Sequence, residues 1–415
     1  MADNRPLLTL DEALARLVEG AKAHPIAQTE TVSTFDALGR MLAAPVTSAL
    51  DVPPEDNTSM DGYALHAADV PVAGTELPVV QRIPAGVVGQ PLARGTAARI
   101  FTGAQVPAGA TAVVMQEQCE AIAGDGLGRV RVNVVPKHGQ WIRRRGEDVV
   151  HGSVVLHPGT RLTPQALGMA ASVGAATLTV VRRPRVALFS TGDELVMPGQ
   201  PLKPGAIYNS NRFVLRGLLL AAGCEVTDLG IVPDRLDATQ DAVRQAAQGH
   251  DLILTSGGVS AGEEDHIRPA VQSQGFIENW QIAIKPGKPL AFGGVRRADG
   301  TQALFMGLPG NPVSSFVNFL LAVAPVLRVM QGASGDLPQA LTLRADFDWP
   351  RADKRREFLR VRLNEHGALD LFSNQSSGVL TSAVWGDGLV DNPAGQAIGR
   401  GDLVRFLPFA ELMGR

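Results

Sequence analysis

Three acids close the stretch Ser256-Gly257-Gly258-Val-Ser260-Ala-Gly-Glu-Glu264-Asp265, which follows an apolar, β-branched run at Leu252–Thr255. A strand, an open bend and a helix start near Glu263 would bring backbone N–H groups close to a bound anion. Carboxylates at the same bend would repel a bare phosphate, which implies a cation such as Mg2+ between them. Ser190-Thr191-Gly192-Asp193-Glu194 follows another strand-like run, and Asp234 follows Gly230-Ile-Val-Pro233. Any one of these acids could simply cap a neighbouring helix. Glu194, Asp234 and Asp265 behind three successive strands are harder to read that way, and hard oxygen ligands suit Mg2+ held against a phosphorylated ligand.

Cations join the same pattern. Lys285-Pro-Gly-Lys288-Pro should hold two ammonium groups at the rim for a phosphate or other oxyanion, although surface lysines are commonly only solvated. Gly307-Leu-Pro309-Gly-Asn311-Pro312 precedes a long apolar helix and would present N–H groups at its start, with Pro312 as ordinary helix-start chemistry. Earlier in the chain, Asp56-Asn-Thr-Ser-Met-Asp61-Gly-Tyr-Ala64 is dense in turn residues. Ile100-Phe-Thr102-Gly103 and Arg143-Arg-Arg145-Gly-Glu-Asp148 complete the set. The arginine run could be a solvated face.

The elements that must position these residues can be read from periodicity. Thr9 and Glu12 form a capping box for a helix to about Ala23, and a second short helix is expected over Asp36–Ala43. Strand-like runs at Leu77–Val80, Ala98–Phe101, Ala112–Met115 and Val130–Val135 alternate with turns. From Arg185 to Met330 strands and helices alternate, predicting a parallel doubly wound sheet covered on both faces, with ligands beyond the carboxyl ends of its strands. Strands Ile282–Ile284 and Ala303–Met306 are expected late in this region. After Gly332, runs at Leu341–Phe347, Phe358–Leu363, Ala368–Phe372, Val379–Ala383 and Asp402–Leu407 predict a β-barrel-like C-terminal unit. The fold class is thus multidomain α/β. The expected units are a discontinuous helical domain (1–51 with 146–182), an inserted β-rich domain (52–145), an α/β domain (183–331) and a C-terminal β domain (332–415). Acids on one rim and polar loops in a separate β unit make one site most simply across a dimer interface.

Bulk properties narrow the classes. The 415 residues are 45% hydrophobic and 19% charged, with a net charge of −3, which argues against disorder and against nucleic-acid or membrane partners. Two tyrosines offer little surface for stacking bases. Cys119 and Cys224 form no CxxC pair, so neither zinc nor a redox dithiol is expected. Met1–Gly20 lacks signal-peptide character, and Asn318 and Pro325 interrupt the most apolar run. A cytoplasmic protein is the expectation.

In combination, Asn57-Thr-Ser-Met-Asp-Gly-Tyr-Ala64, Phe101-Thr-Gly103, Arg143–Asp148, Ser190–Glu194, Ser256–Ser260 with Asp265, Ile284–Pro289 and Gly307–Pro312 resemble the MoeA family of molybdopterin molybdenumtransferases, related to the gephyrin E domain. The resemblance spans nearly the whole chain in the same order. It implies an elongated homodimer with its active site shared between subunits, using Mg2+, molybdate and adenylylated molybdopterin and releasing AMP. By the resemblance Asp61, Thr102, Asp148, Glu194 and Asp265 are catalytic, and Glu194, Asp234 and Asp265 are the metal ligands. Substrate contacts would come from Arg143, Ser190, Thr191, Gly192, Ser256, Gly257, Gly258, Lys285, Lys288, Pro309 and Asn311. Partners would be a molybdopterin adenylyltransferase and cofactor-accepting proteins. An adenylyltransferase, or a gephyrin-like peptide-binding scaffold, are the alternatives.

Overall fold

The computed structural model describes residues 7–258 and 266–414. The expected capping box is present at helix Leu10–Lys22: Glu12 N–H donates to Thr9 Oγ1 (3.2 Å) and Thr9 N–H to the Glu12 carboxylate (2.8 Å). Leu10, Ala13, Leu17 and Ala21 face the core. The second short helix does not form. Only a 3-10 turn, Thr34–Asp36, is present. Gly39 at φ +74° breaks the run, and Met41 and Leu42 pair with Arg161 and Val180 instead.

Residues 29–47 and 154–181 belong together. Thr29–Ser33 pairs antiparallel with Thr177–Val181, and Val46–Thr47 with Val154–Leu156. They share a core that includes Leu42, Leu162, Ala170 and Val180. Between them runs a separate six-stranded sheet in the order Ala112–Met115, Gly62–Leu65, Ala97–Ile100, Thr75–Ile83, Arg129–Val132, Cys119–Ile122.

The α/β sheet has the order Glu225–Val232, Arg185–Thr191, Leu252–Ser256, Gln302–Leu308, Pro289–Arg296, Gly275–Gln281. Its first four strands are parallel, as expected. The last two corrects that reading: Pro289–Arg296 runs antiparallel to both neighbours. Sequence reasoning overlooked these strands because Gly275, Gly293 and Gly294 look like turn residues. Here they allow close strand pairing, since a Cβ on Gly275 would collide with the Gly294 carbonyl. The strand expected at Ile282–Ile284 does not join the α/β sheet; Ile284–Lys285 instead pairs parallel with Arg356–Leu363 of the C-terminal sheet.

Helix 312–330 is continuous but passes through a π-helical segment, Phe319–Val323, just before Pro325. The wider turn accommodates a proline that cannot donate a backbone bond. These 19 residues are long and apolar enough to cross a bilayer, so the interruption read from Asn318 and Pro325 is not there. Yet 89% of the apolar window is buried inside the molecule, which makes this a core helix.

The C-terminal sheet is ordered Ile284–Lys285, Arg356–Leu363, Gly388–Asn392, Leu403–Pro408, Leu341–Arg344. The predicted strand Val379–Ala383 is replaced by a turn and helix Thr381–Trp385. The true neighbour, Gly388–Asn392, escaped notice because it buries polar Asp391 and Asn392. Arg356 (2.6 and 2.7 Å) and Arg405 (3.1 Å) hold that Asp391.

Leu321 is fully buried in the core around this helix. Leu321→Ala should destabilise the fold by about 2–5 kcal/mol in denaturant unfolding. Leu220→Ala, at a half-exposed position, should change stability by under ~1 kcal/mol.

Candidate functional site at the strand ends

The carboxyl ends of three adjacent parallel strands meet at glycine-bearing bends. Ser190 and Ser256, both buried, lie side by side with their hydroxyls 3.1 Å apart. Beyond them Gly257 adopts φ +89° and donates its N–H to the Leu308 carbonyl (3.0 Å). A Cβ there would stand 2.8 Å from the Thr191 carbonyl oxygen. Gly192 and Gly258 also have positive φ, at +143° and +63°. Backbone therefore packs on backbone here, and these bends leave N–H groups close to any ligand above them.

Buried polar atoms point to an incomplete hydrogen-bond network. Asn211 Nδ2 donates to the Gly310 carbonyl (2.8 Å), and Asn209 Oδ1 caps the next helix at Arg212 N–H (3.1 Å). Among the described residues, Asn209 Nδ2, Asn211 Oδ1, Thr255 Oγ1 and Asn318 Oδ1 are buried without partners. Groups of this kind are normally satisfied by ligand or water. Sequence reasoning missed these asparagines. The available signals were a second Asn at a helix start needing only one cap, and an Asn inside an apolar helix.

The acids are arranged more loosely. Glu194 is exposed behind strand Arg185–Thr191, and Asp234 follows Glu225–Val232. Their loops touch, because Asp234 N–H donates to Asp193 Oδ1 (3.3 Å). Asp265, Ser260 and Glu263–Glu264 lie outside the described residues. Among the described residues no group of three His, Cys, Asp or Glu side chains could hold a metal; the predicted set of Glu194, Asp234 and Asp265 includes a residue outside them. Two carboxylates on adjoining loops do fit Mg2+, which keeps several waters and takes one or two protein carboxylates plus phosphate oxygens.

The cations differ from expectation. Lys285 Nζ is bound by Glu357 (3.0 Å) and Asp353 (3.3 Å), so it is ion-paired rather than free at the rim. Arg355, hydrogen-bonded to Asp353, holds that carboxyl well below the usual range. Lys288 lines a cavity of about 480 Å³ with Leu7, Ala352, Asp353, Lys354 and Arg355. The anion-binding helix start at Pro309–Pro312 is partly spent, because Val313 N–H donates to the Ser377 carbonyl (3.0 Å); Ser315 Oγ also binds the buried Pro309 carbonyl.

A second set gathers in the β unit. Asp61 Oδ1 accepts both the Thr102 N–H and Oγ1–H, each at 2.7 Å. These two bonds, with Arg99 nearby, lower the Asp61 pKa. Arg143 sits in a short strand pairing with Asn57–Thr58 and is exposed, as is Asp148. Arg144 and Arg145 are committed to Asp56 and Asp51, both at 2.6 Å. Among the described residues Arg143 has no ion pair, and no hydrogen bond or ion pair joins residues 52–151 to 185–330.

Known proteins resemble the chain along most of its length. Residues 8–174 match the MoeA N-terminal region (domain I and II), 187–329 a probable molybdopterin binding domain, and 342–409 the MoeA C-terminal region (domain IV). A Haemophilus influenzae protein named molybdopterin molybdenumtransferase is 37% identical, over 98% of this chain and 100% of its own. A Nostoc protein of the same name is 36% identical over 92% and 89%. The chain belongs to the MoeA family. A solved molybdopterin biosynthesis MoeA protein from Pyrococcus horikoshii superposes with a TM-score of 0.82 at 30% identity, covering 97% of this chain and 100% of its own. The multidomain α/β architecture is that of MoeA.

One further residue of this MoeA chain stands out. Arg360 is buried and, among the described residues, has no carboxylate partner, and burial pulls its pKa down to about 10. It donates to Ser382 Oγ (3.0 Å) and the Ser376 carbonyl (3.3 Å), tethering the turn that reaches Val313. An arginine inside an otherwise apolar stretch of strand was the available signal.

The Asp61–Thr102 pair gives a direct test. A depressed carboxylate pKa means that its stabilisation is present at neutral pH and is lost as pH falls through the folded value. Thr102→Val removes only the hydroxyl bond. NMR titration should then show the Asp61 pKa rising towards the ordinary ~4, with the remaining N–H bond keeping it below.

Proposed function

We propose that this chain is a molybdopterin molybdenumtransferase of molybdenum cofactor biosynthesis. It inserts molybdate into adenylylated molybdopterin with Mg2+ and releases AMP, as a cytoplasmic homodimer whose active site is shared between subunits. The observation that carries the activity is similarity to enzymes of that name over essentially both full lengths. The shared site is supported by the two polar sets lying in separate units of one chain.

The chemistry follows from the residues. Glu194, Asp234 and Asp265 would hold Mg2+, which neutralises phosphate oxygens and stabilises the leaving AMP. Bends at Thr191–Gly192 and Ser256–Gly258, with Pro309 and Asn311, line the substrate's resting place, where Ser190 supports Ser256. Asp61 and Asp148 approach from the partner's β unit with Thr102 and Arg143. Molybdate is a dianion, so its attraction falls to Lys288 and Arg143, with Lys285 held ready by its acidic partners. The units 1–51 with 146–182, 52–145, 183–331 and 332–415 act as four domains. Adenylylated substrate would come from a molybdopterin adenylyltransferase, and product would pass to cofactor-accepting proteins.

Purified protein with Mg2+ and adenylylated molybdopterin should release AMP faster when molybdate is added. Asp61→Ala should slow this roughly a hundredfold or more with an unchanged melting temperature. AMP release indifferent to molybdate, or ATP-dependent adenylylation by this chain alone, would overturn the assignment.

A further inference from the structure

A pair of arginines in the β unit is left unexplained by that reading. Arg82 and Arg99 stand directly opposite each other on neighbouring parallel strands, Thr75–Ile83 and Ala97–Ile100. Like charges placed so are unfavourable. Neither has a carboxylate within ion-pair distance among the described residues. Arg99 donates to neutral acceptors, the Gly62 carbonyl (2.9 Å) and Gln116 Oε1 (2.6 Å). Among the described residues, the one interaction of the exposed Arg82 side chain is with the Phe101 ring.

Arg82 reaches this face through a backbone irregularity. The register shifts between Val79 and Gln81, so Val79 pairs with Ala97 but Arg82 with Arg99. Without the extra residue, alternation would turn Arg82 to the opposite side of the sheet. Bulges are found where a strand must re-aim a side chain. Both guanidinium carbons then lie against the Phe101 ring, at 4.5 and 4.6 Å from its centroid, and Arg99 also lies over Tyr63 at 5.2 Å. Phe101 immediately precedes Thr102, so the patch adjoins the Asp61–Thr102 pair.

We propose that Arg82 and Arg99, braced on Phe101, form an anion site that grips a phosphate of the nucleotide substrate. Two forks with free donors suit the oxygens of a phosphate ester, and the ligand's charge would offset the repulsion between them. The proposal deepens the transferase reading by assigning these side chains the substrate's phosphate.

The test is titration calorimetry of AMP, inorganic phosphate and molybdate against wild type, Arg82→Gln and Arg82→Lys. Among the described residues the Arg82 side chain makes no hydrogen bond, so its substitution should leave folding intact. AMP affinity should fall roughly tenfold or more in Arg82→Gln, less in Arg82→Lys, while molybdate affinity stays constant. In turnover assays the loss should fall on KM rather than kcat. Equal AMP affinity in wild type and Arg82→Gln, or no AMP binding by wild type, would overturn the site. An equal loss of molybdate affinity would overturn the phosphate assignment. Binding can be read even if the chain proves inactive, so this failure and that of the transferase reading are distinguishable.

Discussion

Everything at the candidate site depends on how closely Gly257 approaches Thr191. With 2.8 Å between the Thr191 carbonyl and a would-be Cβ at 257, no other residue fits without moving backbone. The same bend sends the Gly257 N–H to Leu308, locking three parallel strand ends into one floor. Bulk has been removed there and buried asparagine and threonine groups are left without partners. Leaving such groups unsatisfied costs about 1–3 kcal/mol each. That cost makes sense where a polar ligand completes the network.

The C-terminal sheet is tied into this floor from behind. Ile284–Lys285 leaves the α/β unit to pair with Arg356–Leu363, and Lys285 is clamped by Glu357 and Asp353. Asn318, from the core helix, donates to the Gly287 carbonyl (3.0 Å) and fixes the same loop. Ser377 caps Val313 while Arg360 tethers its turn. The lysine loop and the helix start are therefore positioned by contacts from both units, and a change in one should be felt in the other.

Much of this was legible in the sequence. The capping box, the four parallel strands and the order of glycine bends follow from local patterns that the structure keeps. What escaped was set by contacts distant in sequence. Gly293 and Gly294 read as turn residues, yet they permit a strand because the partner strand approaches there. Asp391 can sit in a buried strand because Arg356 and Arg405 reach it from elsewhere. Lys285 looked free because nothing local announces Glu357, 72 residues away. Of the acids read together at one rim, Glu194 and Asp234 sit on touching loops, and Asp265 lies outside the described residues. Membership of the MoeA family was legible from the motifs in combination.

The central claim is that two subunits build each site, one giving the strand-end floor and the other the Asp61–Thr102 pair. Its most direct measurement is complementation between inactive chains. Asp61→Ala and Glu194→Ala proteins, separately tagged, would be co-expressed and the mixed species isolated by both tags. Shared sites predict that the mixed species regains molybdate-dependent AMP release, because one of its interfaces carries both native residues. Sites contained within single chains predict none, and a mixed species as inactive as its parents would contradict the account.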